Sequence, residues 1–161
     1  MSQLTTAMLL LAVLLPVSCR GEVPWPPPPA AVRLGEDACA CCRMIVSDGR
    51  FAAQALSRAG DVEWFDDLGC LLGRHGGAAC DPQGVFVRSF GDESWVRGDR
   101  GFAVRAPDLA TPMGYGIAAF ATSAEATSEA GRHVGATVTS LAALLAEVRP
   151  SPDSLPAHSP R

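Results

Sequence analysis

Proline marks where this chain can build a fold and where it cannot. In Val23-Pro24-Trp25-Pro26-Pro27-Pro28-Pro29 most positions have no backbone donor, so the segment favours extended polyproline geometry and reads as a stiff tether. At the other end, Pro150-Ser151-Pro152-Asp153-Ser154-Leu155-Pro156-Ala157-His158-Ser159-Pro160-Arg161 has too little apolar surface to offset the entropy of ordering it. Residues 150–161 are therefore expected to be a disordered tail, with His158 a solvated residue in it. What lies between, roughly Leu34–Arg149, is room for one compact domain or two very small ones. An apolar content of 48% is enough to form a core there.

Charge narrows the partners. The formal net charge is −4, and every basic side chain other than histidine is arginine, scattered along the chain instead of gathered into a groove-sized patch. Nucleic acid is not an expected partner. The amino terminus points elsewhere, because Met8–Val17 is an apolar run too short to span a bilayer and is followed at once by Ser18 and Cys19. Residues 1–18 read as an export signal. Leu15-Pro16-Val17-Ser18-Cys19 resembles the lipobox of bacterial lipoproteins, in which the cysteine thiol receives the lipid, although Pro16 stands where leucine is usual and no Lys or Arg precedes the apolar run. An ordinary cleaved secretory signal is the competing reading. With Cys19 as the lipid attachment site, residues 19–34 form the lipidated cysteine and its Pro-rich tether, the lipid bilayer is a partner, and the protein faces the periplasm. Arg20 stands where Asp would mark inner-membrane retention, which favours the outer membrane.

The folded part shows one pattern twice, an α+β fold of two small consecutive ββαβ units. In the first unit, residues 35–92, Met44–Ser47 and Phe51–Leu56 read as strands about the turn Asp48-Gly49-Arg50, with Asp61–Phe65 extending the second strand. Asp66–His75 then suits a short helix, with acids in its first turn and Gly76-Gly77 beyond its end, and Val85–Phe90 returns as a strand. In the second unit, residues 93–149, Gly101–Arg105, Gly116–Thr122 and Ala136–Thr139 read as strands and Ser123–His133 as a helix with Ser123 at its N-cap. A last helix, Ser140–Val148, sets Leu141, Leu144, Leu145 and Val148 on one face that can cover a sheet. Trp64 and Trp95 read as core, and His75 and His133 as surface or helix-end residues.

Chemistry concentrates in Asp37-Ala38-Cys39-Ala40-Cys41-Cys42-Arg43-Met44, where three thiols and a thioether fall within six residues. Thiolate and thioether are soft, polarisable donors that favour Cu(I) over hard cations, and zinc sites seldom use a thioether. Two other readings compete for the Cys39-x-x-Cys42 spacing. A structural zinc site needs a second half, yet Cys70 and Cys80 stand nine residues apart and no histidine pair of finger spacing follows. A thiol redox pair needs a strand that presents it at a helix start, and none leads into the motif. Disulfides compete too, since the compartment is oxidising and five thiols remain once Cys19 is lipidated. Cys70 could pair with Cys80, or equally serve as a hydrophobic residue on its helix.

Taken in order, Asp37-x-Cys39-x-x-Cys42-x-Met44-x-Val46, Phe65-Asp66-Asp67-Leu68-Gly69-Cys70 and Thr111-Pro112-Met113-Gly114-Tyr115-Gly116-Ile117-Ala118-Ala119-Phe120 resemble the successive motifs of the NosL family. The resemblance spans nearly all of Gly35–Leu145. It implies a pair of ββαβ units, Cu(I) as the bound metal, and a metallochaperone role in assembling the copper centres of nitrous oxide reductase. The implied partner is the copper-receiving apo nitrous oxide reductase or its membrane maturation complex. By matched position it makes Cys42 and Met44 the primary ligand pair, two side chains that can share a face if the backbone between them is extended. Met113 becomes the candidate third soft ligand, with a core-filling methionine as its alternative, and Cys39 an alternate or secondary ligand. Cys41 stands where the family pattern has no cysteine.

Nothing in the rest of the chain indicates an enzyme. Phe65-Asp66-Asp67 has paired acids, but adjacent acids at a helix start are more simply a cap and a dipole partner. Phosphate-binding glycine loops and nucleophile motifs are missing. Two function classes remain, a Cu(I) carrier and an exported thiol redox or structural zinc-binding module.

Overall fold

A computed structural model describes residues 24–77 and 80–147. The export signal 1–18, Cys19 and the tail 150–161 lie outside the described residues. The fold is α+β with two antiparallel sheets. The first sheet, in the order β2-β1-β3-β4, contains β1 (Ala53–Leu56), β2 (Val62–Phe65), β3 (Val85–Arg88) and β4 (Trp95–Arg97), with helix α1 (Leu68–His75) between β2 and β3. The second, in the order β6-β5-β7, contains β5 (Phe102–Arg105), β6 (Ile117–Phe120) and β7 (Thr137–Ser140). Helix α2 (Ser123–Ala130) precedes β7, and α3 (Leu141–Ala146) follows it.

The two units do not stand apart. Phe65, Leu71 and Val87 of the first are buried in one cluster with Leu141, Leu144 and Leu145 of α3, so the face expected of the last helix does cover a sheet. The sheets are also joined through the backbone, where Phe90 donates to the carbonyl of Ala119 at 2.8 Å. A second cluster beneath α2 stacks Phe51, Phe90 and Phe120, with ring centroids 5.4 and 5.8 Å apart in succession.

Several local expectations are corrected. The first hairpin does not turn at Asp48-Gly49-Arg50. Asp48 instead caps a 3₁₀ turn, Gly49–Phe51, by accepting from the amide of Arg50, and β1 pairs with β2 across Ser57–Asp61, from Ala53 opposite Phe65 to Leu56 opposite Val62. The chemistry of Asp-Gly suits either turn; pairing of the residues beyond it decides. Met44–Ser47 is not a strand, because only Ile45 bridges, to Ala38. A short strand missing from the sequence reading, β4, pairs with β3, so the break between sheets falls after Arg97 and not at residue 92. The cap of α2 is Thr122, which forms a reciprocal capping box with Glu125, and not Ser123. Trp64 and Trp95 are half-buried rather than core, with ring centroids 6.4 Å apart.

The Pro-rich segment also departs from a free tether. The side chain of Gln54, fully buried on β1, accepts from the amide of Ala30 at 3.0 Å and donates to its carbonyl at 3.1 Å. Farther back, the Arg58 guanidinium sits 4.6 Å from the Trp25 ring centroid, and bare Gly84 lets that ring approach, since a Cβ there would lie 2.9 Å from it. Polyproline backbone has no internal hydrogen bonds, so it is receptive to a side chain that supplies both a donor and an acceptor.

Substitution at Gln54 tests that docking. Gln54→Ala removes both bonds and leaves the half-buried amide and carbonyl of Ala30 without them, so it should cost about 1 kcal/mol or more, read as a lower urea midpoint at unchanged slope. His133, just beyond α2, is held above the ordinary imidazole range by its hydrogen bond to Glu129 and by Asp108. Its stabilising effect is therefore full below about pH 6.5 and lost as pH rises through the raised value; an NMR titration of its ring protons should show a midpoint above that of a free imidazole.

Candidate metal centre

A closed loop presents the cysteines. The amide of Cys39 donates to the carbonyl of Met44 at 2.8 Å, and that of Arg43 to the carbonyl of Cys39 at 3.0 Å. Closing so tight a loop puts Arg43 in the left-handed region, with φ of 67°, which a residue with a side chain tolerates only when its surroundings hold it there. Those surroundings are the junction between β2 and α1. Ala40 donates to the carbonyl of Trp64 at 2.7 Å, and past the loop the amide of Ser47 donates to the Asp66 carboxylate at 2.8 Å.

The same junction delivers a third thiol. Asp67 caps α1 by accepting from the amide of Gly69 at 2.8 Å, as expected of the paired acids. Its carbonyl accepts from Cys70 at 3.0 Å, so Cys70 lies in the first helical turn. The sulfur atoms of Cys39, Cys42 and Cys70 all lie within 4.8 Å of one another. A trigonal metal with bonds of about 2.3 Å, the length of a zinc–thiolate bond, separates its sulfurs by roughly 4 Å, so only small side-chain movement would close the triangle. Cys39 and Cys70 are buried, Cys42 is half-buried and Cys41 is exposed. The three-thiol cluster can hold a soft metal ion.

Hydrogen bonds distribute the charge unevenly. The Cys39 thiol is pulled far below its ordinary range, first by the hydrogen bond from Cys70 and then, against the opposing effect of burial, by the amides of Cys42, Asp66 and Cys41. Cys70 is pushed the other way by donating to Cys39, by burial and by the Cys39 charge, and Cys42 is raised chiefly by burial. The surroundings therefore favour ionisation at Cys39 over ionisation at Cys42 or Cys70. A metal must displace the thiol protons on binding.

The structure brings together two of the residues singled out in the sequence, Cys39 and Cys42, and adds Cys70. Met44 stands 59% exposed at the loop end. The left-handed Arg43 between Cys42 and Met44 means the extended backbone that would align those two side chains is not formed. Met113 is half-buried against the same core cluster as Cys39 and Cys70, and its amide donates to Asp67 at 3.1 Å. Of the two readings of Cys70, the pairing with Cys80 is not made and the buried helix residue is found; both thiols are free, and Cys80 lies in a cleft of about 610 Å³ with Glu63, His75 and Asp81. Cys70 was missed as a ligand because its spacing from Cys42 says nothing of the fold that joins them. Its one local signal was the strong cap at Asp67, which places it in a first turn.

No family model and no curated protein matches the sequence. Among solved structures, the chain is similar to the crystal structure of the copper chaperone NosL from Shewanella denitrificans, with a TM-score of 0.53 and 18% identity over 71% of this chain and 93% of that one. The fold is NosL-like. At that identity the likeness extends to the arrangement of strands and helices, and the chemistry of the site rests on this chain's own thiols.

Burial orders the reactivity of those thiols in the reduced protein. Iodoacetamide under native conditions should label Cys41 first and Cys42 more slowly, with Cys39 and Cys70 protected until the chain unfolds, as peptide mass mapping would show. Early labelling of Cys70 would contradict the cluster.

Proposed function

We propose that this protein is a periplasm-facing Cu(I) carrier, anchored through a lipid on Cys19, which passes copper to apo nitrous oxide reductase or its membrane maturation complex. The observation that carries the reading is the three-sulfur cluster of Cys39, Cys42 and Cys70, all within 4.8 Å. Soft thiolates select Cu(I), and a metal satisfied by few ligands suits a trigonal set better than zinc, which takes four in structural sites. The NosL-like fold supports the same reading, as do the three motifs in family order and the lipobox-like signal. Copper here is cargo. Low coordination leaves room for a ligand of the recipient to bind before the carrier's own sulfurs leave, so the ion is exchanged without entering solution. The exposed side of the site, at Cys41 and Met44, is where such a ligand would arrive, and Met44 and Met113 are the thioethers this reading adds to the set. The protein acts in this reading by binding and transfer, not by catalysis.

A second reading, an exported thiol redox or structural zinc-binding module, draws on the closeness of the Cys39 and Cys70 sulfurs, within 4.8 Å, which would let two thiols be oxidised together. An anaerobic titration of the reduced protein with Cu(I) against a competing chelator, run beside Zn(II), separates the two. About one Cu(I) per chain should bind, and Cys39→Ser, Cys42→Ser and Cys70→Ser should each weaken it by at least tenfold, about 1.4 kcal/mol, while Cys80→Ser leaves it unchanged. Preferential Zn(II) binding, or thiols that oxidise as a pair and bind neither metal, would select the module instead.

A further inference from the structure

Asp67 does more than cap a helix. Its carboxylate is fully buried and faces no cation among the described residues. One oxygen accepts from the amide of Gly69 at 2.8 Å; the other accepts from the Thr111 hydroxyl at 2.6 Å and the Met113 amide at 3.1 Å. Gly69 and Cys70 belong to α1 in the first unit, while Thr111 and Met113 belong to the loop between β5 and β6 in the second. One carboxylate thus ties the helical turn carrying a cluster thiol to the loop carrying a thioether.

The loop is seated by shape as well. The Tyr115 ring lies directly on bare Gly69, where an added Cβ would fall 1.9 Å from a ring atom. Gly114 and Gly116 on either side of Tyr115 have positive φ, 72° and 65°, and Thr111 turns back within the loop, its backbone carbonyl accepting from Gly114 at 3.0 Å and its hydroxyl from Gly116 at 3.3 Å. The loop therefore has its own turns, but its position over α1 depends on Asp67 and on the space left by Gly69.

We propose that Asp67 is a positioning residue: by fixing the loop that carries Met113 to the helical turn that carries Cys70, it sets where the Met113 thioether stands relative to the thiols of Cys39, Cys42 and Cys70. The inference rests on the Cu(I) reading above. A neutral amide cannot replace the carboxylate: an asparagine side chain in its place would retain a single acceptor oxygen, and its NH₂ would confront either the Gly69 amide or the Met113 amide, donor against donor. Partners that orient ligands in this way commonly change metal affinity by about 10- to 100-fold.

The test is a double-substitution cycle on the full chain, reduced and anaerobic, with Cu(I) as the probe. Met113→Leu and Asp67→Asn should each lower Cu(I) affinity by about tenfold or more, and Met113→Leu added to Asp67→Asn should lower it no more than about twofold further, because the thioether is already misplaced. Methyl-labelled methionine NMR supplies a readout that a purely structural role would not move. The Met113 methyl should shift on Cu(I) addition in the unsubstituted protein and stay put in Asp67→Asn, while Met44 behaves alike in both. Should Asp67→Asn fail to fold, Thr111→Val, which removes one donor and keeps the carboxylate, should give the same pattern in weaker form. Losses that multiply, or a Met113 methyl that shifts equally in both proteins, would overturn the positioning role and leave the Cu(I) reading standing. Absence of Cu(I) binding by the unsubstituted chain would overturn both.

Discussion

Seven residues at the end of β2 and the start of α1, Trp64 to Cys70, hold the structure around the site together. The Trp64 carbonyl takes the amide of Ala40, and Asp66 takes that of Ser47, so both ends of the cysteine loop are fastened there. Asp67 reaches into the second unit, and Phe65, Leu68 and Cys70 are buried in the common core. A strand that ends in a capped helix changes direction within two residues, which lets neighbouring side chains point to unlike neighbours. Here they point to the loop, to the second unit and to the core. The cost is two adjacent carboxylates with little solvent; burial raises Asp67 above the ordinary carboxyl range, opposed by donation from Thr111, Gly69 and Met113.

Much of this was legible in the sequence where a signal is local. The cap of α1, the apolar face of Leu141, Leu144 and Leu145, and the order of strands and helices in the second unit follow from turn chemistry and periodicity, and the structure has them. The failures share a cause. Asp48-Gly49 is compatible with a hairpin and with a 3₁₀ turn, and Met44–Ser47 looks like a strand until one knows that its neighbour is another part of the same loop. β4 is three residues long, too short for alternation to register. The candidate site was legible by half: crowded thiols announce themselves, whereas the convergence of Cys70 on Cys39 and Cys42 depends on β2 pairing beside the loop, a long-range contact with no local sign. Gln54 is similar, since a buried amide on a strand gives no hint that its partner is a proline-rich segment 24 residues away.

Burial and hydrogen bonding work against each other in the thiol cluster, and the balance has a functional consequence. Three anionic sulfurs within 4.8 Å would repel one another strongly in a buried setting. Favouring ionisation at Cys39 while opposing it at Cys70 and Cys42 lessens that repulsion, and it marks Cys39 as the sulfur a soft metal ion would meet first.

Exposure then gives the site a direction. Cys39 and Cys70 are sealed, Cys42 is half-buried, and Cys41 and Met44 lie open on the same loop. In the proposed carrier, a partner's ligand would approach from the side of Cys42 while the two buried sulfurs hold on. Because the loop is closed by the backbone bond between Cys39 and Met44, such an approach would call for rotation of side chains and no unfolding of the loop. The burial of Cys39 and Cys70 also limits their access to oxidants, so chemistry at this cluster starts from its open end.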